Sequence, residues 1–322
     1  MNYLSHAGEK VPVDWHKVRR AYEEDHATLS GYTPGADGKP RYSRRPWPLE
    51  DVAGEIRYVV FHHSVTHDTK ATEAVLRKRN LSVHIGVDPD GTVVQLLDLA
   101  VRDRSSGVAC DRGIGVEVAN VVEPYGNYTW KKPPPGYEHR QVVSGDIGGY
   151  PRRMFAYTPE QLAACAALAA ALCARYPRMA PASPPAHDNS RRAQVLRGDR
   201  YGIIGHYHVT ADAKKGKWDP GPAFDFPRLA RAARAAVARQ VIFEVEQAHH
   251  AGDPFAWDAP LLVQRALQAL GEDLAADGAW GPLSEAAARR ALRHTAGDLL
   301  AALRLSLQVP PAHPASGPGE HA

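Results

Sequence analysis

The 322-residue sequence has few cysteines, and they carry no recognisable pattern. Cys110, Cys165 and Cys173 form no C-x-x-C pair, so neither a disulfide framework nor a zinc-ribbon spacing is present. Cys165 and Cys173 fall in an Ala/Leu-rich stretch, where we expect them to be small buried hydrophobic residues. No run approaches the roughly 18 apolar residues of a membrane-spanning helix, which argues against membrane insertion. Lys and Arg do not cluster with aromatic residues, so nucleic-acid binding is not indicated.

The N-terminus also lacks a secretory pattern. It reads M-N-Y-L-S-H-A-G-E-K-V-P-V-D, without a basic start followed by an apolar run. This favours synthesis as a soluble protein in the cytoplasm. If the substrate lies outside the cell, another system must then deliver the protein.

The length predicts about two domains, preceded by an N-terminal extension over residues 1–54. Asp14 is placed to cap a short helix in this extension, with apolar positions at helical spacing at Trp15, Val18, Ala21 and Tyr22. A Gly/Pro/Arg-rich stretch follows and is expected to be irregular.

Strand signals begin near residue 55. E-I-R-Y-V-V-F predicts a buried strand, and G-I-G-V-E-V-A-N predicts another. Between them, S-V-H-I-G-V, D-P-D-G and T-V-V-Q-L-L predict a β-hairpin. Residues 121–157 are rich in Pro, Gly and Tyr and are predicted to be a long loop, which in a compact domain is usually functional or mobile.

Helical signals dominate the second half of the chain. Thr158, Pro159 and Gln161 form a capping box that opens an Ala/Leu-rich helix. After the short strand Y-G-I-I-G-H, an Ala/Arg helix over about residues 227–248 closes the first domain, and a solvated face explains its arginines better than wall-polymer binding. Further along we predict a linker at 249–256, three helices within 257–308 and a disordered tail at 309–322.

Three residues have the chemistry of a zinc site. His62 and His206 each end a predicted strand, and Asp219 lies in the rigid turn K-W-D-P-G-P. Imidazole and carboxylate are zinc ligands, and a catalytic site keeps one position open for water. The chain has 16 histidines, so residue types and spacing alone leave structural histidines as the commoner explanation.

The order of the motifs resembles the type-2 N-acetylmuramoyl-L-alanine amidase family over about residues 55–230. The resemblance rests on V-V-F-H-H-S, S-V-H-I-G-V-D-P-D-G-T-V-V-Q-L, G-I-G-V-E-V, G-I-I-G-H and K-W-D-P-G-P-A-F-D-F. It implies an α/β fold with a mixed central β-sheet flanked by helices. It also implies zinc-dependent hydrolysis of the amide bond between N-acetylmuramic acid and L-alanine in bacterial peptidoglycan.

The resemblance also implies residue roles. The positions that match the family's metal ligands are His62, His206 and Asp219. Glu117, in the strand I-G-V-E, matches the general base, and Lys217 matches the group that stabilises the transition state.

Several nearby residues have alternative explanations. We expect His63 to pack or to support a ligand, because neighbours on a strand alternate faces. His84 fits a structural role better than ligand orientation, and His206 rather than His208 matches the family pattern. Tyr207 and Trp218 suit either sugar stacking or the core.

The sequence departs from many relatives at two places. Val83 stands where many carry a tyrosine, and V-R-D-R-S-S-G-V-A-C-D-R replaces an A-W-H-A-G-like segment. The second change bears on how the peptide stem or sugar is gripped. We expect the insertion at 121–157 to be a source of replacement contacts.

Residues 257–308 resemble the small all-α peptidoglycan-binding domains of wall hydrolases, chiefly through the D-G-x-x-G-P turn followed by a helix. Trp280 and the turn at 277–282 are candidate wall contacts. A generic three-helix bundle is the alternative, because D-G and G-P turns are common. The implied partners are the glycan strands and stem peptides of peptidoglycan, with no nucleic acid.

Three functions therefore remain. The first is an active, endolysin-like amidase that lyses the wall after release by a holin or delivery by a secretion system, and the complete residue set favours it. The second is a non-catalytic peptidoglycan-recognition protein. The third is a cytoplasmic amidase that recycles anhydro-muropeptides, which the missing leader favours and the wall-binding segment opposes.

Overall fold

The computed structural model describes residues 2–21, 45–121, 136–185, 192–197, 200–210, 217–250 and 260–272, with parts of 276–307. Its described strands are β1 (Asn2–His6), β2 (Glu9–Val13), β3 (Val18–Arg20), β4 (Tyr58–His63), β5 (Ile85–Val87), β6 (Val93–Gln95), β7 (Gly113–Val118), β8 (Val142–Ile147), β9 (Tyr150–Phe155) and β10 (Ile203–Gly205). Six of them form the central sheet, in the order β10-β4-β7-β5-β6-β3.

The middle of this sheet is parallel and buried. β10 pairs with β4, β4 with β7 and β7 with β5, all in parallel. Their side chains are almost wholly shielded, as expected for short runs rich in Val and Ile that are covered on both faces. β5 and β6 form the predicted hairpin, and Gly91 takes a positive φ of 79° in its turn.

Helices flank the sheet, which confirms the predicted mixed α/β architecture. They are α1 (Val52–Glu55), α2 (Thr69–Lys78), α3 (Pro159–Arg175), α4 (Arg192–Arg197), α5 (His206–Val209), α6 (Phe226–His250), α7 (Pro260–Ala269) and α8 (Pro282–Ala291). The predicted capping box opens α3, since Thr158 Oγ1 accepts from Gln161 N–H at 3.0 Å and Gln161 Oε1 accepts from Thr158 N–H at 3.1 Å. α3 packs along α6 through buried Ala and Leu side chains, and Cys165 and Cys173 are buried in this layer as predicted.

The predicted helix near Asp14 was wrong. Residues Val18–Arg20 form a strand that pairs in parallel with β6, and Val18 lies opposite Val93. The free edge of β6 offers backbone hydrogen bonds that a helix of about two turns cannot match, so pairing with β6 overrides the local helical periodicity. Tyr22, the last apolar position of the predicted helix, lies outside the described residues.

The prediction of a structureless loop over 121–157 was also wrong in its second half. Residues 122–135 lie outside the described part, but β8 and β9 form an antiparallel hairpin from Val142 to Phe155. Its turn uses Gly148 and Gly149, both at positive φ. The hairpin packs against the loop that carries Asp219, as described below.

The C-terminal segment lies against the rest of the chain. α7 packs on α6, and the buried Arg265 donates to the carbonyl oxygens of Cys173 and Ala174 at the end of α3. The last carbonyl groups of a helix have no partner within the helix, so Arg265 stabilises the C-terminus of α3 by donating to them. α6 extends through the first two residues of the predicted linker, and Trp280, most of the predicted third helix and the tail lie outside the described residues.

Among the described helices, none is long and apolar enough to cross a membrane.

Candidate metal centre and catalytic groups

Three neighbouring parallel strands bring the candidate site together at one edge of the sheet. His62 lies near the end of β4, directly opposite Glu117 in the register of β7. His206 follows β10 at once, and β10 pairs with the other side of β4. The two histidines are therefore adjacent in space although 144 positions separate them in the chain.

Asp219 reaches the same point from a tight loop after residue 216. Its carbonyl accepts from Tyr207 N–H at 3.3 Å, and the carbonyl of Pro220 accepts from the Tyr157 hydroxyl at 2.8 Å. The hairpin β8–β9 presses on the loop from the other side, where Gly145 faces Pro222 and Gly221 faces Met154 so closely that neither glycine has room for a Cβ atom. The loop is thus held by the core, the hairpin and the end of β10.

The three side chains converge on one small volume. His62 Nδ1 lies 2.8 Å and His206 Nδ1 lies 3.1 Å from Asp219 Oδ2, and one ligand atom from each residue falls within 4.8 Å of the others. All three side chains are buried. Among the described residues this is the one cluster of three His, Cys, Asp or Glu side chains able to hold a metal ion.

Electrostatics favours the metal-binding protonation states. Burial lowers the pKa of His62 and outweighs its hydrogen bond to Asp219, so the ring tends to be neutral. Burial alone would raise the pKa of Asp219, but the hydrogen bonds from His206 and His62 outweigh it and hold this pKa well below its ordinary value. Two imidazole nitrogens and one carboxylate oxygen are a donor set that suits zinc.

Glu117 lies beside this cluster with an unusual carboxyl group. Its Oε2 is buried and has no hydrogen-bond partner among the described residues, although the side chain as a whole keeps some exposure. Burial raises its pKa to about 8, the charge of Asp219 adds to the rise, and Lys217 opposes it. A buried carboxyl without a structural partner, next to possible metal ligands, is typical of a catalytic acid or base.

Lys217 lies two positions before Asp219, and its side chain is exposed. Its positive charge acts on the pKa of both Glu117 and His63. The structure therefore brings the three candidate ligands together beside Glu117, and Lys217 is close enough to affect the pKa of Glu117.

His63 is directed away from the cluster, towards Trp218. The two rings meet edge to face with 4.4 Å between centroids, and burial lowers the pKa of His63 to about 4. The guanidinium carbon of Arg152, on β9, lies 5.7 Å from the centre of the Trp218 ring. These contacts agree with the predicted packing role of His63, and they leave Trp218 partly exposed beside the site.

The remaining aromatic and histidine candidates are structural. Tyr207 and His208 are buried, and His208 Nδ1 accepts from Gly205 N–H at 2.9 Å. His84 is fully buried; its Nδ1 accepts from Gly115 N–H at 3.0 Å and its Nε2 contacts the Val101 carbonyl oxygen at 2.9 Å. Both ring nitrogens of His84 therefore have hydrogen-bond partners inside the core, which fits a structural role.

The sequence reasoning missed a group of residues behind His62. Its Nε2 lies 3.0 Å from the hydroxyl of Ser106, which belongs to the segment that departs from many relatives. The hydroxyls of Ser106 and Ser105 are 2.9 Å apart, and Ser105 donates to Asp103 Oδ2 at 2.6 Å. The sequence D-R-S-S contains the polar side chains of this group, but it lies more than 40 residues from His62, so the contact could not be predicted from spacing.

Comparison with known proteins identifies the family of the chain. A family model described as N-acetylmuramoyl-L-alanine amidase matches residues 52–222, just over half of the 322 residues. Comparison with curated proteins gives no match.

Solved structures similar to the chain include AMPDH3 from Pseudomonas aeruginosa, with 18% identity over 77% of this chain and 89% of that one, and a TM-score of 0.38. N-acetylmuramoyl-L-alanine amidase LysC from Clostridium intestinale URNW has 14% identity over 55% and 85% of the two chains, with a TM-score of 0.33. The Drosophila peptidoglycan recognition protein SA has 16% identity over 58% and 80%, with a TM-score of 0.29. Because the family model covers the greater part of the sequence, the chain belongs to the N-acetylmuramoyl-L-alanine amidase family.

Proposed function

We propose that the protein uses zinc to hydrolyse the amide bond between N-acetylmuramic acid and L-alanine in peptidoglycan. The observation that carries the proposal is the convergence of His62 Nδ1, His206 Nδ1 and Asp219 Oδ2 beside the unpartnered carboxyl of Glu117. A purely structural cluster of this kind would leave no reason to keep Glu117 Oε2 buried without a hydrogen bond.

The three donors fit zinc in number and kind. Catalytic zinc sites take three protein ligands from His and carboxylate side chains and keep a fourth position for water. When bound, zinc lowers the pKa of that water towards about 7 and polarises a carbonyl group. In this chain His62, His206 and Asp219 would hold the ion, and burial keeps them rigid.

Glu117 is the proposed proton carrier. Its carboxylate oxygen would accept the proton of the attacking water and pass the same proton to the leaving nitrogen of L-alanine, so that the group returns to its starting state. The pKa of about 8 is suited to a group that must both accept and release a proton near neutrality. A divalent cation bound next to Glu117 would lower this pKa, as Lys217 already does.

Lys217 is the proposed stabiliser of negative charge. Its positive charge acts on Glu117 and His63, and it would stabilise the carbonyl oxygen of the scissile amide as that oxygen becomes negative. Its exposure allows the side chain to follow the substrate without breaking a buried contact.

We further propose that intact wall, rather than soluble fragments, is the natural substrate, and that the protein acts as an endolysin-like lytic enzyme. The support is the similarity of residues 257–308 to peptidoglycan-binding domains, because a binding module raises the local concentration of a polymeric substrate. Soluble muropeptides would gain nothing from such a module.

Digestion of purified sacculi followed by mass spectrometry tests the proposal. The expected products are free stem peptides that begin with L-alanine and glycan strands without peptide, both absent after treatment with a chelator and restored by zinc. Glu117→Gln is the matched control, since it keeps the ligands and removes the proton carrier. Sacculi that bind the protein but remain intact would instead indicate a recognition protein, and faster cleavage of soluble anhydro-muropeptides would indicate a recycling amidase.

A further inference from the structure

A chain of hydrogen-bonded polar side chains starts at His62 and continues through residues 103–106. It begins at His62 Nε2, passes 3.0 Å to Ser106 Oγ and 2.9 Å to Ser105 Oγ, and ends 2.6 Å further on at Asp103 Oδ2. His62, Ser106 and Asp103 are each nearly inaccessible to solvent. These contacts give hydrogen-bond partners to polar groups of three buried residues, His62, Ser106 and Asp103.

The direction of the hydrogen bonds follows from the carboxylate end. An ionised Asp103 only accepts, so the Ser105 hydroxyl must donate to it. A hydroxyl has one proton, so Ser105 Oγ is left to accept from Ser106. The proton of Ser106 is then also used, so Ser106 Oγ is left as an acceptor towards His62 Nε2. In the metal-free protein His62 Nδ1 donates to the Asp219 carboxylate at 2.8 Å; a metal ion bound at Nδ1 would replace that proton, and the ring would then keep its proton on Nε2, opposite Ser106.

The surroundings of Asp103 favour its ionised form. Burial raises its pKa, but the nearby His84, the Ser105 hydroxyl and Arg45 together outweigh burial and lower it. Of these, the hydroxyl and the buried guanidinium act whether or not His84 is charged.

The sheet leaves space for this arrangement at Gly115. A Cβ atom at that position would come within 2.3 Å of Asp103 Oδ2 and 2.5 Å of Ser105 Oγ. Because Gly115 has no side chain, the Asp103 carboxylate and the Ser105 hydroxyl pack directly against β7, the strand that also contains Glu117. This close approach is a second, independent sign that the chain of side chains is a specific feature.

We propose that Ser106 is a positioning residue for His62: its hydroxyl accepts from Nε2–H once a metal ion has replaced the proton of Nδ1, and Asp103, acting through Ser105, keeps the hydroxyl in this accepting orientation. The inference rests on the proposed metal-binding function of His62. It gives a role to the segment V-R-D-R-S-S-G, which departs from many relatives: the segment supports a ligand from behind and does not grip substrate. Partners of metal-bound histidines commonly fix the ring in this way.

Zinc affinity of the full-length protein tests the first part, measured by competition with a chromogenic chelator. Ser106→Ala is expected to weaken zinc binding by about 10–100-fold, the usual effect of removing such a partner. Ser284→Ala is the matched control: Ser284 is a buried serine in α8 whose hydroxyl accepts from Gln264 Nε2–H, and its loss should leave zinc affinity unchanged. Equal zinc affinity of the wild type and Ser106→Ala would overturn the proposal.

Zinc affinity also tests the second part without any activity. Ser105→Ala frees the Ser106 proton to turn towards Nε2, where it competes with the Nε2–H of the metal-bound ring, so zinc affinity should fall. Asp103→Asn should lower zinc affinity in the same direction and provides a second variant if one fails to fold. Unchanged zinc affinity in both variants would refute the role of Asp103. Wild-type protein that binds no zinc would instead refute the proposed function.

Discussion

Replacing Glu117 with Gln should abolish turnover and at the same time make the metal-free protein more stable at pH 8. Glutamine has the same shape and carries no charge, so it avoids the burial of a carboxylate beside Asp219. Burial first, and Asp219 second, raise the pKa of Glu117 from 4.5 to about 8. Between these values the folded state binds more protons than the unfolded state, so the wild-type protein loses stability as pH rises.

The size of the effect follows from this shift. Each pKa unit corresponds to about 1.36 kcal/mol, which sets an upper limit of ~5 kcal/mol for Glu117 at pH 8. The side chain keeps some solvent exposure, which screens the penalty, so we expect roughly 2 kcal/mol. At pH 5 the carboxyl is mostly protonated when folded, and the variant and the wild type should be nearly equal.

Urea denaturation of chelator-treated protein at pH 5 and pH 8 measures the difference. Glu160→Gln is the control, because Glu160 is exposed in the first turn of α3 and its change should be independent of pH. Turnover of Glu117→Gln on sacculi should fall by about 10²–10⁴-fold, the usual contribution of a general base. If the variant has the same stability as the wild type at both pH values, the carboxyl is not strained and the argument for its catalytic role fails.

Three further predictions concern other parts of the molecule. Lys217→Met should reduce turnover about a hundredfold or more with zinc affinity unchanged, measured by kinetics and by metal competition; unaltered turnover would exclude a role in charge stabilisation. Gly115→Ala should destabilise the protein by ~1–3 kcal/mol and weaken zinc binding, because the new Cβ atom has no room. In the same thermal denaturation experiments Gly54→Ala should have little effect, because no atom lies within 4 Å of a Cβ atom at that position. Burial lowers the pKa of His6 from 6.5 to about 4, so stability should fall as pH drops from 6.5 to 4; His6→Asn should flatten this slope and the exposed His16→Asn should not.

Much of the sheet was predictable because its strands are short, apolar and bounded by turns. V-V-F-H-H-S and G-I-G-V-E-V gave β4 and β7 without knowledge of their partners, and D-P-D-G gave the hairpin between β5 and β6. Once two parallel strands are known to be neighbours, the ends that carry His62 and Glu117 must lie at one edge.

The errors arose where pairing partners decide the structure. Residues 18–20 have a helical spacing but become an edge strand because β6 offers unpaired backbone groups. The hairpin β8–β9 contains Pro151 and several charged residues, so alternation of apolar and polar residues is weak there. Its position against the Asp219 loop depends on contacts between segments distant in the chain.

The candidate ligands were predictable from sequence motifs, but Ser106, the residue behind His62, was not. Resemblance named His62, His206 and Asp219, and the structure places their ligand atoms together. Ser106 was not named, because a hydroxyl that accepts a hydrogen bond from a buried ring leaves no periodic or spacing signal. Only the three-dimensional structure reveals which polar group faces the second ring nitrogen of a histidine.

The most direct test of the central claim is a zinc titration of chelator-treated protein, with bound zinc and release of L-alanine-led peptides from sacculi measured in the same samples. We predict that turnover is absent without metal, rises in proportion to bound zinc and reaches its limit at about one ion per chain, as a single three-ligand site requires. In Asp219→Ala, tight zinc binding and turnover should be lost together. Full turnover in metal-free protein, or zinc that binds as tightly to Asp219→Ala as to the wild type, would contradict the assignment of the site.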